Sequence, residues 1–496
     1  MKKLIVLFAL LIACQYLVAQ NVGIGTITPT EKLHVAGNIK IDTLKSNAIR
    51  LSNNAGSGKI LTSDDAGNAS WQKISNTAPA QMMVPGSGNI GYGVWGDCAT
   101  NGNISEYQPV ADTTSVGGLR FGYSVSTSGN YAIVGAWGDN VGGNVSQGSA
   151  NIYQYDGVQW VFMQKLTDAT GAAGDEFGYS VSISGNSAIV GARKDDVGAN
   201  ADQGSAIIYQ YNGTSWVFMQ KITDAAGAAN DYYGHSVSVS GNFLIVGSPG
   251  DDNGANTNQG SVIFYEYYNV INWVPIQKTV YAPVAGSNFG NSVSISGNHA
   301  IVGANGFDVA TISGSGEGAA IVYQFIGTNW VYTQRITDYA GAANDYFGSS
   351  VSISGNYAIV GAPYDDFSGM MDSGSASIFK WNGSNWILME RLNNTTPFDT
   401  DLFGFSVAIS GNYAMVGCLE DNIEVNNNFN NVQGSTSIYQ SVGKGWQRLQ
   451  YLTDPGGKGG DGFGTSVSVD VVTKRFIVGV QYYANATGKV VFGKIN

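Results

Sequence analysis

FGYSVSISGNSAIVGARKDDVGANADQGSAIIYQYNGTSWVFMQKITDAAGAAND, residues 177–231, is the stretch on which the fold turns. Ser180-Val181-Ser182-Ile183 alternates with period 2, the mark of a strand with two unlike faces. Ser184-Gly185-Asn186 then reads as a hairpin turn. Ala188-Ile189-Val190-Gly191 is continuously apolar, as in a strand covered on both faces. A longer polar loop leads to Ala206-Ile207-Ile208-Tyr209, and Asn212-Gly213 turns the chain into Trp216-Val217-Phe218-Met219. No helical period separates these strands, so the crossovers of a parallel sheet are missing. The unit reads as a four-stranded antiparallel meander.

The unit recurs. A Phe-Gly pair, once Tyr-Gly, stands at Phe121, Phe177, Tyr233, Phe289, Phe347, Phe403 and Phe463, at intervals of 56, 56, 56, 58, 56 and 60. A near-constant period of this size signals a solenoid, propeller or array. Four strands in each of seven units predict an all-β, seven-bladed β-propeller.

The last unit, from Phe463, offers three strands: Thr465–Val469, Phe476–Val480 and Lys489–Ile495. Its fourth is found ahead of the first unit. A Trp lies 17 residues before the next Phe or Tyr at Trp160, Trp216, Trp330, Trp386 and Trp446 (16 at Trp273). A Gln lies 13 before at Gln164, Gln220, Gln334 and Gln450, and an Asp 9 before at Asp168, Asp224, Asp338 and Asp454. Counting back from Phe121 gives Ile104, Gln108 and Asp112, so two of the three markers recur. Residues 104–111 are therefore expected to close the last blade, and an open ring would expose a strand edge and two apolar blade faces.

Composition agrees. Of 496 residues, 68 are Gly and 12% are charged, against 11% aromatic and 43% hydrophobic. That is a chain of short strands and tight turns with enough apolar mass to fold, not a disordered one. The net charge of −12 offers no basic patch for a phosphate backbone or an anionic membrane surface, and argues against nucleic acid as a partner.

Met1-Lys2-Lys3 followed by apolar Leu4 to Ala13 reads as an export signal over residues 1–20, too short to span a bilayer. Leu11-Ile12-Ala13-Cys14 also resembles a lipobox, which would make the chain an outer-membrane lipoprotein through Cys14. Cys98 and Cys418 do not make a disulfide scaffold. Cys418 stands where most units carry Ala, as a small buried thiol.

These residues resemble the FG-GAP repeat family, found in integrin α-subunit propellers and in secreted bacterial proteins. The match lies in Phe-Gly, the Ser-Val-x-Ile/Val-Ser-Gly-Asn that follows, and Val360-Gly361-Ala362-Pro363, with Val-Gly-Ala at Val134–Ala136, Val190–Ala192 and Val302–Ala304. The resemblance implies a seven-bladed propeller over residues 104–496 and suggests adhesion or ligand binding outside the cell. The calcium loops of integrin repeats lie between the first two strands. Here that connection is Ser-Gly-Asn, so those sites are not carried over. Residues 21–75, with Val22-Gly23-Ile24-Gly25-Thr26, Lys32-Leu33-His34-Val35 and Gly58–Trp71, resemble modules related to phage tail-fibre shafts, which implies a β-rich stalk and a homotrimer. Residues 76–103 read as a linker.

Acidic pairs recur 18 and 19 residues after the Phe or Tyr: Asp139-Asn140, Asp195-Asp196, Asp251-Asp252, Asp365-Asp366 and Asp421-Asn422. Their carboxylates suit a hard cation, so Asp195, Asp196, Asp251, Asp252, Asp365 and Asp366 are the candidate metal ligands, with calcium the cation. The stronger reading of the same residues is as Asx turns that solvate the loop and need no metal. A second acidic set pairs Asp168 with Asp175, Asp224 with Asp231, Asp338 with Asp345 and Asp454 with Asp461. Trp and Tyr that recur with the fold are read as core. Trp137, Tyr364 and Tyr482 do not recur, follow the second strand, and are the candidate ligand-binding aromatics.

Nothing in the sequence assembles a catalytic site or calls for a cofactor. His34, His235 and His299 do not recur, and no nucleophile elbow or zinc spacing is present. The expectation is a secreted or cell-surface protein, not an enzyme, that recognises an extracellular glycan or protein. A polysaccharide hydrolase or lyase working through a carboxylate pair, and a spacer that binds nothing, are the alternatives.

Overall fold

The computed structural model describes residues 22–24, 33–35, 59–63, 69–73, 104–112 and 118–496, apart from 269–271, 310–314, 396, 423–431, 444 and 455. Two compact units divide the chain, Met1–Pro85 and Gly86–Asn496. In the first, Val22–Ile24 pairs in parallel with Leu33–Val35, and Lys59–Ser63 pairs antiparallel with Ala69–Lys73. The leader, Cys14, Cys98 and the linker over 76–103 lie outside the described residues.

The second unit is a seven-bladed β-propeller of four-stranded antiparallel sheets. Blade 1 is Ser124–Ser128, Tyr131–Ala136, Ser149–Tyr155 and Trp160–Leu166. Blade 2 is Phe177–Ser184, Ser187–Ala192, Ser205–Tyr211 and Trp216–Ile222. Blades 3 to 6 begin at Ser236, Phe289, Ser350 and Phe403 and repeat the same order. The strands run longer than the cores read from sequence, because pairing continues into the flanking Ser and Gln positions.

Blade 7 closes as the repeat arithmetic required. Its sheet runs Phe463–Asp470, Arg475–Val480, Lys489–Ile495 and then Ile104–Ala111 from the N-terminal side. Gln108 explains the marker that located this strand. Its Nε2 donates to the Trp160 carbonyl and its Oε1 accepts from the Trp160 amide, both at 2.8 Å. Gln164 holds Trp216 in the same way, and Gln334 holds Trp386. In each complete blade a bulge on the outer strand immediately precedes the Gln position and turns the side chain toward the next blade.

The Ser alternation of the first strand closes the inner ring. Ser124 Oγ donates to the Gly178 carbonyl of the next blade, and Ser180, Ser236, Ser292, Ser350, Ser406 and Ser466 do likewise. The last of these reaches Gly122, joining blade 7 to blade 1 at 2.8 Å. Ser126 and Ser128 accept from the amides of Ile183 and Gly185. Such close approach needs glycine at the Val-Gly-Ala position: a Cβ on Gly191 would sit 2.0 Å from the Gly234 carbonyl oxygen.

The core lies between blades. Ile133, Ile152 and Leu166 of blade 1 pack on Phe177, Val181, Val190 and Trp216 of blade 2, and six further clusters repeat the arrangement around the ring. Every Phe or Tyr of the Phe-Gly pairs is buried, each contributing roughly 1.5–3 kcal/mol. The recurring Trp residues are core as expected. Trp160, for example, stacks on Phe492 across the closure, with centroids 4.7 Å apart.

Removing residues 1–111 takes the outer strand from blade 7. The truncated chain is expected to melt lower by roughly 5 °C or more and to aggregate on heating, measured by calorimetry and light scattering. In the full chain, Gln108→Ala, which deletes two closure hydrogen bonds, is expected to cost about 1–3 kcal/mol in denaturant titration. Melting indistinguishable from the parent in both would show that this strand does not hold the ring.

Candidate functional site

Antiparallel order fixes which loops share a face. The Phe-Gly entry of a blade, the end of its second strand, the start of its third and the end of its fourth all lie at one end of the sheet. This long-loop face carries both acidic sets and every candidate ligand residue. The Ser-Gly-Asn and Asn-Gly turns occupy the opposite face.

On the long-loop face the units stop resembling one another at three positions. The residue before the Phe-Gly pair is Arg120, Glu176, Tyr232, Asn288, Tyr346, Leu402 or Gly462. In all but the last, the side chain stands on a backbone with φ between 50 and 58°, the left-handed region that costs a non-glycine residue roughly 1–2 kcal/mol. Two residues after the Phe or Tyr stand Tyr123, Tyr179, His235, Asn291, Ser349, Phe405 and Thr465. After the second strand stand Trp137, Arg193, Pro249, Asn305, Pro363, Leu419 and Gln481.

Blades 7, 1, 2 and 3 turn these positions into one aromatic and cationic cluster. The Arg120 guanidinium lies 4.6 Å from the Tyr482 ring centroid and 5.7 Å from that of Trp137. Tyr123 meets the edge of Trp137 at 6.0 Å and donates its hydroxyl to Tyr179 at 2.8 Å. Arg193 covers Tyr179 at 3.6 Å and bonds Glu176 at 2.6 Å, which also pairs with Lys194 at 2.7 Å. Tyr179 packs on His235, 5.0 Å between centroids. Burial, and then the charge of Arg193, hold the His235 imidazole down to about 3, so it is neutral. Burial and the Tyr179 hydroxyl push the Tyr123 phenol well above its ordinary value.

Among the described residues, two buried N–H donors of this cluster meet no acceptor, Nη1 of Arg120 and Nε1 of Trp137. The indole N–H of the core Trp residues shares that condition with Trp137, whereas the Arg120 guanidinium is not part of that recurring set. Of the three aromatics singled out in sequence, the structure brings Trp137 and Tyr482 together on Arg120. Tyr364 lies apart in blade 5, edge-on to Tyr346 at 5.4 Å. Arg120, Tyr123, Tyr179 and Arg193 were not picked out from sequence. Their signal was present as the three non-repeating positions of an otherwise regular unit.

The recurring acidic pairs divide into two roles. In blades 1 to 3 the first carboxylate is buried and held by a base and a serine. Asp195 accepts from Ser205 Oγ and pairs with Lys221 Nζ, each at 2.5 Å. Lys221 also reaches Asp168 of the preceding linker at 2.8 Å. Asp251, Ser261, Lys278 and Asp224 repeat this. Arg391 joins Asp365 to Asp338. The second carboxylate is exposed and folds the loop: Asp196 Oδ1 accepts from the Asp202 amide, Asp252 from Asn258 and Asp366 from Asp372.

In the other acidic set, Asp175, Asp231 and Asp345 accept from the amides of Ala172, Ala228 and Ala342. Burial, with the neighbouring carboxylate Asp195, Asp251 or Asp365 adding to it, raises them to about 6, 6 and 7. Asp168 goes the other way. Despite burial, Lys221 and the Thr170 amide and hydroxyl hold it below its usual range.

Residues 115–153, 160–209, 216–265, 283–323 and 330–379 match the family described as FG-GAP repeat. The matches span blades 1 to 5, and blades 6 and 7 continue the same strand order. No curated protein matches the sequence. Among solved structures, a candidate 6-phosphogluconolactonase of Bacteroides fragilis NCTC 9343 is 11% identical, covers 68% of this chain and 85% of its own, and gives a TM-score of 0.42. That likeness is too low to carry an argument.

The raised carboxyls set a pH dependence. Their folded values lie above the roughly 3.9 of an unfolded Asp, so the folded state binds more protons between about pH 4 and 7 and stability falls as pH rises through that window. Asp168 opposes this only below about pH 4, where its stabilising contribution is lost as pH falls from the unfolded value through its lowered folded one. Melting temperature is expected to be highest near pH 5 and to decline toward pH 8, and Asp345→Asn should flatten the decline. A melting temperature that climbs steadily from pH 5 to 8 would contradict it.

Proposed function

We propose that this chain, a member of the FG-GAP repeat family, is an exported binding protein whose propeller recognises an extracellular glycan at the Arg120 cluster. The observation that carries this reading is the buried Arg120 Nη1, which meets no acceptor among the described residues and belongs to a guanidinium set against the rings of Trp137 and Tyr482. An unmet buried donor costs about 1–3 kcal/mol, and a ligand oxygen placed there recovers it. Aromatic faces suit the apolar side of a sugar ring, and an arginine suits its hydroxyls or a carboxylate.

The role is recognition rather than turnover. His235 is neutral and packed against Tyr179, and Glu176 is held by Arg193 and Lys194, so each is committed to the cluster's own architecture. The basic and apolar start of the chain supports export, and residues 21–75 supply a stalk that assembles as a trimer.

Screening the protein on glycan arrays, followed by titration of the best ligand, tests the reading. Arg120→Ala and Trp137→Ala are each expected to weaken binding about 10-fold or more, the loss for a residue at the centre of a binding surface. Tyr364→Ala, on the other side of the ring, is expected to leave it unchanged. A blank screen, or binding that survives both cluster substitutions, would exclude this site.

A further inference from the structure

Blades 1, 2, 3 and 5 each place a base from the fourth strand on the buried carboxylate that follows the second strand: Lys165 on Asp139, Lys221 on Asp195, Lys278 on Asp251 and Arg391 on Asp365. Blade 4 has lost the acid, and there Arg335 lies over Phe307 at 5.4 Å from the ring centroid. Blade 6 keeps acids and changes the base. Asp401 and Asp421 stand where blade 2 has Asp175 and Asp195, while Tyr451 stands at the position of Lys221 and Asn394 at that of Asp168. The second strand ends in Cys418 where blades 1, 2, 4 and 5 end in Ala.

These side chains converge. Asp401, Cys418 and Asp421 each bring one ligand atom within 4.8 Å of the other two, and all three are buried. Asp401 has 0% of its surface exposed; among the described residues its Oδ1 makes no close hydrogen bond, although the Asn422 amide also acts on this carboxylate. Its other oxygen is held by the Phe398 amide at 2.8 Å and by Asn394 Nδ2 at 3.1 Å. The Tyr451 hydroxyl donates to Asp421 at 2.6 Å, and Ser435 donates to the same oxygen. The Cys418 thiol points at the Asp401 main-chain carbonyl, 3.2 Å away. An acidic pocket of this kind without a counter-charge is costly.

We propose that blade 6 binds a divalent cation of the zinc class between Asp401, Cys418 and Asp421, the counterparts of Asp175, Ala192 and Asp195 in blade 2. The thiol selects against hard ions, which take oxygen donors alone. Sulfur with two carboxylate oxygens suits a borderline ion held by three protein ligands, with a fourth position left for water. Cys418 binds as the thiolate and releases its proton to solvent. The Phe398 amide and Asn394 orient the Asp401 carboxylate from behind, as outer partners of metal ligands do. This site is distinct from the exposed second carboxylates Asp196, Asp252 and Asp366, which fold their own loops.

The test uses the full chain purified without a polyhistidine tag, stripped with chelator and titrated with Co2+. One equivalent is expected to bind with a thiolate-to-cobalt charge-transfer band, to be displaced by Zn2+, and to raise the melting temperature. Cys418→Ala and Asp401→Asn are expected to abolish the band and to weaken Zn2+ binding about 100-fold or more. Tyr451→Lys, which installs the ammonium of blade 2, is expected to abolish the band while melting no lower than the metal-free parent. No cobalt binding, binding without the band, or a band retained in Cys418→Ala would each overturn the site. Should the cysteine or aspartate variant fail to fold, a band that survives in folded Tyr451→Lys overturns it.

Discussion

The ring depends on one hydrogen bond made seven times, from a first-strand serine hydroxyl to the Phe-Gly carbonyl of the next blade. A single such bond adds about 0.5–1.5 kcal/mol net. Its weight lies in geometry, because it can form only where two inner strands approach closely. That approach forbids a Cβ at Gly135, Gly191 and their equivalents and brings the apolar faces of adjacent blades into contact. Serine, glycine and the interblade core are thus one constraint seen three ways. Loss of the serine at one accepting position is tolerated: blade 6 carries Ala408 there and relies on Ser410, which accepts from Val471.

Closure repeats the logic at the rim. The outer strands of blades 1 to 4 are each fastened to the next blade by a side chain that mimics a peptide group, a Gln amide donating to a Trp carbonyl and accepting from the amide of the same Trp. Gln108 extends that clamp across the chain termini. Glu390 takes the position in blade 5 and keeps the accepting half alone, from the Trp446 amide at 2.6 Å. Sharing one blade between the two ends makes the ring a single cooperative object, since no blade pair can separate without exposing its interblade core.

What was legible in the sequence is what the architecture forces to recur. The Trp, Gln and Asp markers located the strand over 104–111 because each makes the same contact in successive blades. The alternating serines gave a strand but not their purpose, since period 2 says which residues share a face and nothing of what that face meets. The acidic pairs were visible, but the bases that hold them were not. Lys221 lies 26 residues after Asp195, on a strand that pairs with neither loop. The candidate site was half legible. Trp137 and Tyr482 were found as aromatics out of step with the repeat, yet Arg120, which joins them, could be placed between them only once blade 7 had been brought against blade 1. Tyr364 satisfied the same sequence criterion and lies elsewhere on the ring, because that criterion identifies a variable loop position and not its neighbours.

The residue before each Phe-Gly pair is where the scaffold meets the variable side chains of the long-loop face. Its backbone is pinned from both sides. In blade 2 the Glu176 amide donates to Ser146 and its carbonyl accepts from Tyr179, while the Phe177 amide donates to Gln147. In blade 1 the Arg120 amide donates to Ala486 of blade 7. Hydrogen bonds to the preceding blade therefore hold a left-handed conformation that the side chain itself does not favour. Six side chains of five kinds and one glycine occupy that conformation, so the fold fixes the backbone and leaves the chemistry free. A mount of this kind positions a side chain without ordering it at the moment of binding, which lowers the entropic cost of association. The regularity of the propeller and the irregularity of its long-loop face are in this way the same design: seven identical frames, each holding one residue rigidly where identity is not required by the fold.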